Sequence, residues 1–299
     1  MIKVTIRQME YFVALAETLH FGRAAQLAGV TQPALSAQIA EMEDKLGTRL
    51  FERARRGVAL SEDAKLILPR IERVLAEMQE IEALARRERA AMSGRLRLGV
   101  IPTVAPYLLP AILPAISARF PDLALELKES VTSTLVEETL AGRLDAFIAA
   151  LPLEDTRLAS EPMLEDGFLL AVPANDPNFI EPPVAPESPE LERLILLEEG
   201  HCLRDQALAI CGSVKPLAMS NFGATSLTTL LQMVAHGQGL TLVPEMALTA
   251  SRALPGVKFV PFSAPIPSRT IGMAWRKRAG READFRALAD TIGKLAGVR

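Results

Sequence analysis

One seam constrains what this chain can fold into more than any other feature. Ile67, Ile71, Val74, Met78, Ile81 and Ala85 recur at steps of four, three, four, three and four. That is the spacing of a heptad stripe on one long helix, and such a stripe suits pairing with a second helix. The pattern predicts a helix over 62–92, kinked near its start by Pro69 and closed by Ser93-Gly94. A rod of this length separates residues 1–61 from 93–299. In a chain of 299 residues, a small body and a larger one are therefore expected on either side of it.

The smaller body reads as three short helices and a wing. The first covers about 7–18, with Met9, Phe12, Val13, Leu15 and Ala16 as its apolar face. The second covers about 21–28 (Phe21, Ala24, Ala25, Leu27), and Gly29-Val30 forms a tight turn. The third starts at Thr31, a plausible N-cap, with Pro33 in the first turn, where its missing N–H costs nothing. Its apolar stripe is Leu35, Ile39, Met42 and Leu46, and Gly47 is a stop signal. Residues 49–60 look like a two-stranded wing.

From 95 onward, strand-like runs alternate with helix-like ones. The strand candidates are Leu96–Ile101, Leu123–Glu129, Ala146–Ala150, Gly167–Pro173, Leu194–Glu198, Gly239–Pro244, Val257–Pro261 and Thr270–Trp275. Apolar runs separated by helices predict a mostly parallel sheet buried on both faces. The Pro-rich stretch 173–189 reads as a loop or a crossing between subdomains.

The net charge of −3 argues against a nucleic-acid binder, but it is unevenly spread. Residues 1–92 hold 14 Lys and Arg against 13 Asp and Glu, and Arg49, Arg53, Arg55 and Arg56 cluster with only Glu52 opposing them. Local clustering matters more than the total for phosphate binding. The first seventeen residues, interrupted by Glu10 and Glu17, do not read as a signal peptide. No apolar run is long enough for a membrane span. The cytoplasm is the expected location.

Arg23, Thr31, Gln32, Pro33, Ser36 and Ala37 lie off the apolar stripes, around the start of the third helix. In a helix-turn-helix, such positions reach base edges and phosphates in the major groove of double-stranded DNA. Gln32 can read adenine, and small residues such as Ser36 permit close approach. Arg53, Arg55 and Arg56 would neutralise phosphates. A plain three-helix core with a solvated basic loop fits the same spacing. The run from Arg7 to Arg53, with Thr31-Gln32-Pro33-Ala34-Leu35-Ser36 and Leu50-Phe51-Glu52-Arg53, resembles the winged helix of LysR-type regulators. The resemblance implies an α+β multidomain chain: a DNA-binding domain over 1–61, a dimerising linker helix over 62–92 and a regulatory domain over 93–299. The last is of periplasmic-binding-protein type, with subdomain I at about 93–165 and 269–299 and subdomain II at about 166–268. It also implies a homodimer assembled into a tetramer, with RNA polymerase as a further partner.

The chain has two cysteines, Cys202 and Cys211, nine positions apart. Only a thiolate attacks peroxide well, and a free Cys has a pKa near ~8.5. Arg204 and His201, or N–H groups at a helix start, would favour the thiolate. The intervening residues look helical. Nine steps of an intact helix rise about 13 Å and leave the side chains pointing opposite ways, whereas a disulfide needs Cα atoms within roughly 7 Å. Closing the bond therefore requires the helix to give way. The plainer readings are two inert apolar cysteines, or a metal site, for which His20 and His236 are not close in sequence.

Glu199–Cys211, Ile101-Pro102-Thr103, Pro106–Pro110, Ala224–Leu227 and Arg269–Gly272 resemble the peroxide-sensing members of the LysR family. The resemblance implies that Cys202 is the peroxide-reactive thiol and Cys211 the resolving one. It places Thr103, Thr132, His201, Arg204, Asp205 and Arg269 around hydrogen peroxide, with no cofactor and no metal. Gly212 stands where that group has an aromatic residue, and Ser213–Met219 departs from it as well. A metabolite-responsive regulator and a thiol peroxidase are the competing functions. An enzyme gains nothing from a winged helix, so the chain is not expected to be one.

Overall fold

A computed structural model of the chain describes residues 3–54, 57–85, 91–177, 181–186, 188–212, 224–251 and 254–297. The chain divides into two compact units, residues 1–88 with 140–143, and 89–139 with 144–299.

The first unit opens with α1 (Ile6–Thr18), α2 (Phe21–Leu27) and α3 (Gln32–Leu46). Each start is set locally. Thr5 and Gln8 form a reciprocal cap on α1, and the His20 ring accepts from the N–H groups of Gly22 and Arg23 at the head of α2. Thr31 caps α3 in extended geometry without a side-chain bond, and Gly47 ends it at φ 72°, a left-handed position that suits glycine. Phe12, Leu15, Ala24, Leu35, Ile39 and Met42 form the core. Two expected core positions are not buried: Leu27 is 64% and Leu46 41% exposed. Leu46 is the last residue of α3. The carboxylate of Glu43 takes the buried place instead, accepting from the N–H groups of Leu50 and Phe51 at 2.8 and 3.2 Å. It thereby ties α3 to the wing, β1 (Phe51–Ala54) and β2 (Gly57–Leu60).

The long helix α4 covers Glu62–Ala85, with Pro69 inside it. Its seam is divided. Ile71 is buried and Ile67 packs on the winged-helix core, whereas Val74 and Ile81 are exposed. The expected continuation to 92 falls on residues outside the described ones as far as 90, and 91–92 form a turn.

The second unit holds β3 (Gly94–Val100), α5 (Ala105–Arg119), β4 (Leu123–Glu129), α6 (Thr132–Leu140), β5 (Ala146–Leu151) and β6 (Leu158–Pro173). After these come α7 (Cys202–Cys211), α8 (Leu227–Ala235), β7 (Thr241–Pro244), α9 (Leu248–Ser251), β8 (Val257–Pro261), β9 (Ser268–Arg276) and α10 (Glu282–Ala296). The strands run β4-β3-β5-β9-β6-β7, with β8 also on β6. The expectation of a mostly parallel sheet is overturned: β3 is parallel to β4 and β5, but β5–β9, β9–β6, β6–β7 and β6–β8 are antiparallel. Burial on both faces produced the apolar runs, and burial does not encode strand direction. Nor is Leu194–Glu198 a strand. It follows a 3-10 turn, Pro189–Arg193, and makes only single bridges, Leu194 to Leu240 and Leu197 to Ala224.

The sixteen-residue β6 positions the site. Its first half pairs with β9, and its last residues pair with β7 and β8. The strand thus passes from one half of the unit to the other, and it sets Asp166 directly opposite Arg269. Beside it, Phe168, Leu170, Leu194, Leu203, Ala207, Cys211, Leu230 and Val243 share one core. Among the described residues no helix is long and apolar enough to cross a membrane, and none of His, Cys, Asp and Glu gather as a metal-binding group.

Candidate functional site

Three backbone turns meet at Cys202. Ile101-Pro102-Thr103 leaves the end of β3, Val131-Thr132 opens α6, and Gly200-His201-Cys202 opens α7. Gly200 sits at φ +91°, which turns the chain into the helix at a position where a side chain would be strained. These residues line a small pocket with no room for a water-sized sphere. Two helix N-termini border it, and their free N–H groups favour negative charge.

Arg269 on β9 supplies the cation. It is 3% exposed. Its Nη1 donates to the Thr103 hydroxyl at 2.9 Å and its Nη2 to the Thr103 carbonyl at 3.1 Å. The Thr132 hydroxyl is buried without a conventional partner. Burial pushes the Cys202 thiol above its ordinary range. The Arg269 charge and the hydroxyls of Thr132 and Thr103 pull the other way, and Asp205 adds to the upward push. A cation does favour the thiolate, but it is Arg269 rather than the expected Arg204 or His201, and desolvation of the sulfur opposes it.

The neighbours in sequence behave differently from the neighbours in space. Arg204 donates to the Leu197 carbonyl at 3.0 Å and does not figure among the influences on the thiol. Asp205 is exposed in the first turn of α7. His201 is buried with its Nδ1 unpartnered, and burial lowers its pKa, opposed by Glu198. Cys211, the last residue of α7, is fully buried in the apolar core beside Leu203 and Ala207, and burial alone raises its pKa. Both thiols are free. As opposite ends of a ten-residue helix, they are about 13 Å apart along its axis.

At the other candidate surface, Arg23, Thr31, Gln32, Pro33, Ser36 and Ala37 are all exposed around the start of α3. Arg53 lies on β1, its side chain outside the described residues, as are Arg55 and Arg56 altogether. Ser213–Met219 falls outside them too. Sequence reasoning missed Glu43 and Asp166. Glu43 carried a faint signal, an acidic residue within the apolar end of a helix. Asp166 carried none, because its partner is 103 positions away.

Comparison with known proteins follows the same division. Residues 6–65 match the family model "Bacterial regulatory helix-turn-helix protein, lysR family", and residues 89–296 match "LysR substrate binding domain". The chain is 39% identical over 289 residues to the DNA-binding transcriptional dual regulator OxyR of Escherichia coli K12, covering 97% of this chain and 95% of that one. It is equally similar, with the same coverage, to the hydrogen peroxide-inducible genes activator of Dickeya chrysanthemi. Among solved structures it resembles a full-length OxyR from Pseudomonas aeruginosa with a cysteine-to-aspartate substitution. That match has a TM-score of 0.79 and 34% identity, and covers 97% of this chain and 98% of the other. It also resembles a hydrogen peroxide-bound, cysteine-to-serine OxyR of Corynebacterium glutamicum, with a TM-score of 0.66 and 30% identity, covering 99% and 94%.

Proposed function

This chain belongs to the LysR family of bacterial helix-turn-helix regulators, and from that premise we propose how it acts as a hydrogen-peroxide sensor: Cys202 takes the oxidising equivalent and Cys211 stores it as a disulfide. One observation carries this reading. Cys202 stands in a tight pocket whose walls include Thr103 and Thr132, with Arg269 behind Thr103, at one end of a helix whose other end is Cys211.

The polar groups around the sulfur suit a small diprotic oxidant, which the closed pocket admits only when its walls part, since it has no room for a water-sized sphere. Arg269 holds the Thr103 hydroxyl as a donor or acceptor for one peroxide oxygen, and the buried Thr132 hydroxyl, which faces the sulfur, serves the other. The Cys202 thiolate attacks one oxygen, the O–O bond breaks, and the departing hydroxide takes a proton to become water. The product is a sulfenic acid on Cys202. The Cys211 sulfur then attacks that sulfur, a second water leaves, and the disulfide closes. His201 borders the pocket from beside the thiol, Asp205 opposes ionisation of the sulfur, and Arg204 is turned to the Leu197 carbonyl.

Closing the bond requires α7 to unwind and Cys211 to leave the core it shares with Leu203 and Ala207. A helix this short owes its stability to that packing, so its loss is passed to the second half of the unit. In this reading the change alters how two copies present their recognition helices to duplex DNA. Arg23, Thr31, Gln32, Pro33 and Ser36 face the groove, and Arg53, Arg55 and Arg56 face phosphates. The exposed Val74 and Ile81 on α4 supply part of the pairing surface between copies. Dimers then pair as tetramers, RNA polymerase is the downstream partner, and the cytoplasm, which keeps thiols reduced, resets the switch.

The test adds micromolar peroxide to the reduced full-length protein, counts free thiols and maps the crosslink by mass spectrometry. Loss of both thiols with a 202–211 crosslink is expected. Retention of both overturns the proposal and leaves the metabolite-responsive reading.

A further inference from the structure

Arg269 does not hold its place alone. Directly across the sheet, Asp166 is buried, its side chain 2% exposed. Its Oδ2 accepts from Arg269 Nε at 2.9 Å and Nη2 at 2.8 Å. Its Oδ1 accepts from the backbone N–H of Met246 at 2.9 Å, in the 3-10 turn after β7. One edge of the guanidinium is thereby clamped to Asp166, while Nη1 is left facing the Thr103 hydroxyl. The centre of the Phe168 ring lies 5.8 Å from the guanidinium carbon, and the ring closes another side. A long side chain with many rotamers is held to one.

The carboxylate has two effects that pull in opposite directions. It fixes the donor geometry at the peroxide pocket. It also sits beside the very charge that draws the Cys202 proton off, and cancels part of it. Besides Arg269 and Asp166, the ionisable groups around the sulfur are Asp205 and His201 from the start of α7. Tyr107 on α5 is within electrostatic reach of Arg269, and Glu129 of Tyr107.

We propose that Asp166 is a positioning residue for peroxide sensing, which aims Arg269 at the Thr103–Cys202 pocket and thereby favours orientation of the oxidant over ionisation of the thiol. The proposal rests on the reading of Cys202 as the peroxide-reactive thiol. It separates the effect of one substitution on two reagents. Peroxide needs oriented donors, whereas an alkylating agent needs only a thiolate.

The experiment compares reduced full-length protein with the Asp166→Asn variant. It measures the rate of Cys202 oxidation by hydrogen peroxide and, by peptide mass spectrometry, the pH profile of Cys202 labelling by iodoacetamide. In Asp166→Asn the peroxide rate is expected to fall about tenfold or more through lost orientation, while the labelling profile moves to lower pH because the Arg269 charge is no longer cancelled. An unchanged peroxide rate, or equal slowing of both reactions, overturns the proposal. Should the single variant not fold, the pair is tested as a neutral couple. Asp166→Asn added to Arg269→Gln should slow peroxide no further than Arg269→Gln alone, since Asp166 acts through Arg269; further slowing overturns the proposal. If wild-type Cys202 does not react with peroxide, the sensing assignment fails instead, which is a different result from an unaffected variant.

Discussion

The recognition helix and the sensor helix solve opposite problems. α3 must present Gln32, Pro33 and Ser36 in a fixed frame, and it is braced along its length and at its C-terminal end. Leu35, Ile39 and Met42 anchor one face, Gly47 closes it, and the buried Glu43 binds it to the wing. α7 is five residues shorter. Like Thr31 on α3, His201 caps it without a side-chain hydrogen bond, and one narrow buried face of Leu203, Ala207 and Cys211 holds it down. One of those three anchors is itself the residue that must leave. A surface that reads DNA gains from rigidity, whereas a switch needs a structure whose remaining stability is small enough for one covalent bond to outweigh it.

Substitutions can break this contrast. Cys202→Ser has the largest expected effect: no peroxide-dependent crosslink and no peroxide response in a gel-shift assay, with DNA affinity of the reduced form kept. Loss of all DNA affinity would mean that the two helices are not separable. Leu203→Ala removes the main anchor of α7 and costs about 2–4 kcal/mol of stability in denaturant titration. Closure of the disulfide after oxidation should then speed up, because less packing opposes unwinding; a slower closure would show that α7 must stay ordered to react. Glu43→Ala leaves the N–H groups of Leu50 and Phe51 without their acceptor, at a cost of about 2 kcal/mol. It should weaken DNA binding while leaving Cys202 oxidation untouched.

Acidity sharpens the comparison further. Burial holds the Cys202 thiol above its ordinary range, so at neutral pH only a small fraction is thiolate. The rate constant for peroxide should climb by about tenfold per pH unit between pH 6 and 8, as a thiol below its pKa requires. A plateau in that range would mean that the Arg269 charge wins over desolvation. The raised pKa values of both cysteines also stabilise the reduced fold at and below neutral pH. That stability is lost as pH rises past the unfolded thiol value of about 8.5, where the unfolded chain releases protons that the folded one retains. The smallest expected effect is at the wing. Arg53→Ala should lower the slope of log affinity against log salt by about one unit, measured by fluorescence anisotropy. An unchanged slope removes Arg53 from the phosphate contacts.

The amino-acid order alone was sufficient for the elements of the first unit, though not for the buried Glu43 that joins α3 to the wing, and for the position of the sensor helix. Their signals are local: periodic apolar stripes, an N-cap at Thr31, a terminal glycine, and two cysteines nine positions apart on a helical run. Interactions within one turn of backbone are written in adjacent residues, so they can be read there. What surrounds Cys202 could not be read by proximity. Arg204, two residues away, turns to Leu197, while the cation that acts on the thiol comes from position 269 and is held by Asp166 across a pair of antiparallel strands. Strand direction was equally hidden, since two-sided burial produces the same apolar run whichever way a strand points. Only the folded sheet decides which distant charges share a pocket, because it sets residues more than a hundred positions apart in register through backbone hydrogen bonds that carry no trace of side-chain identity.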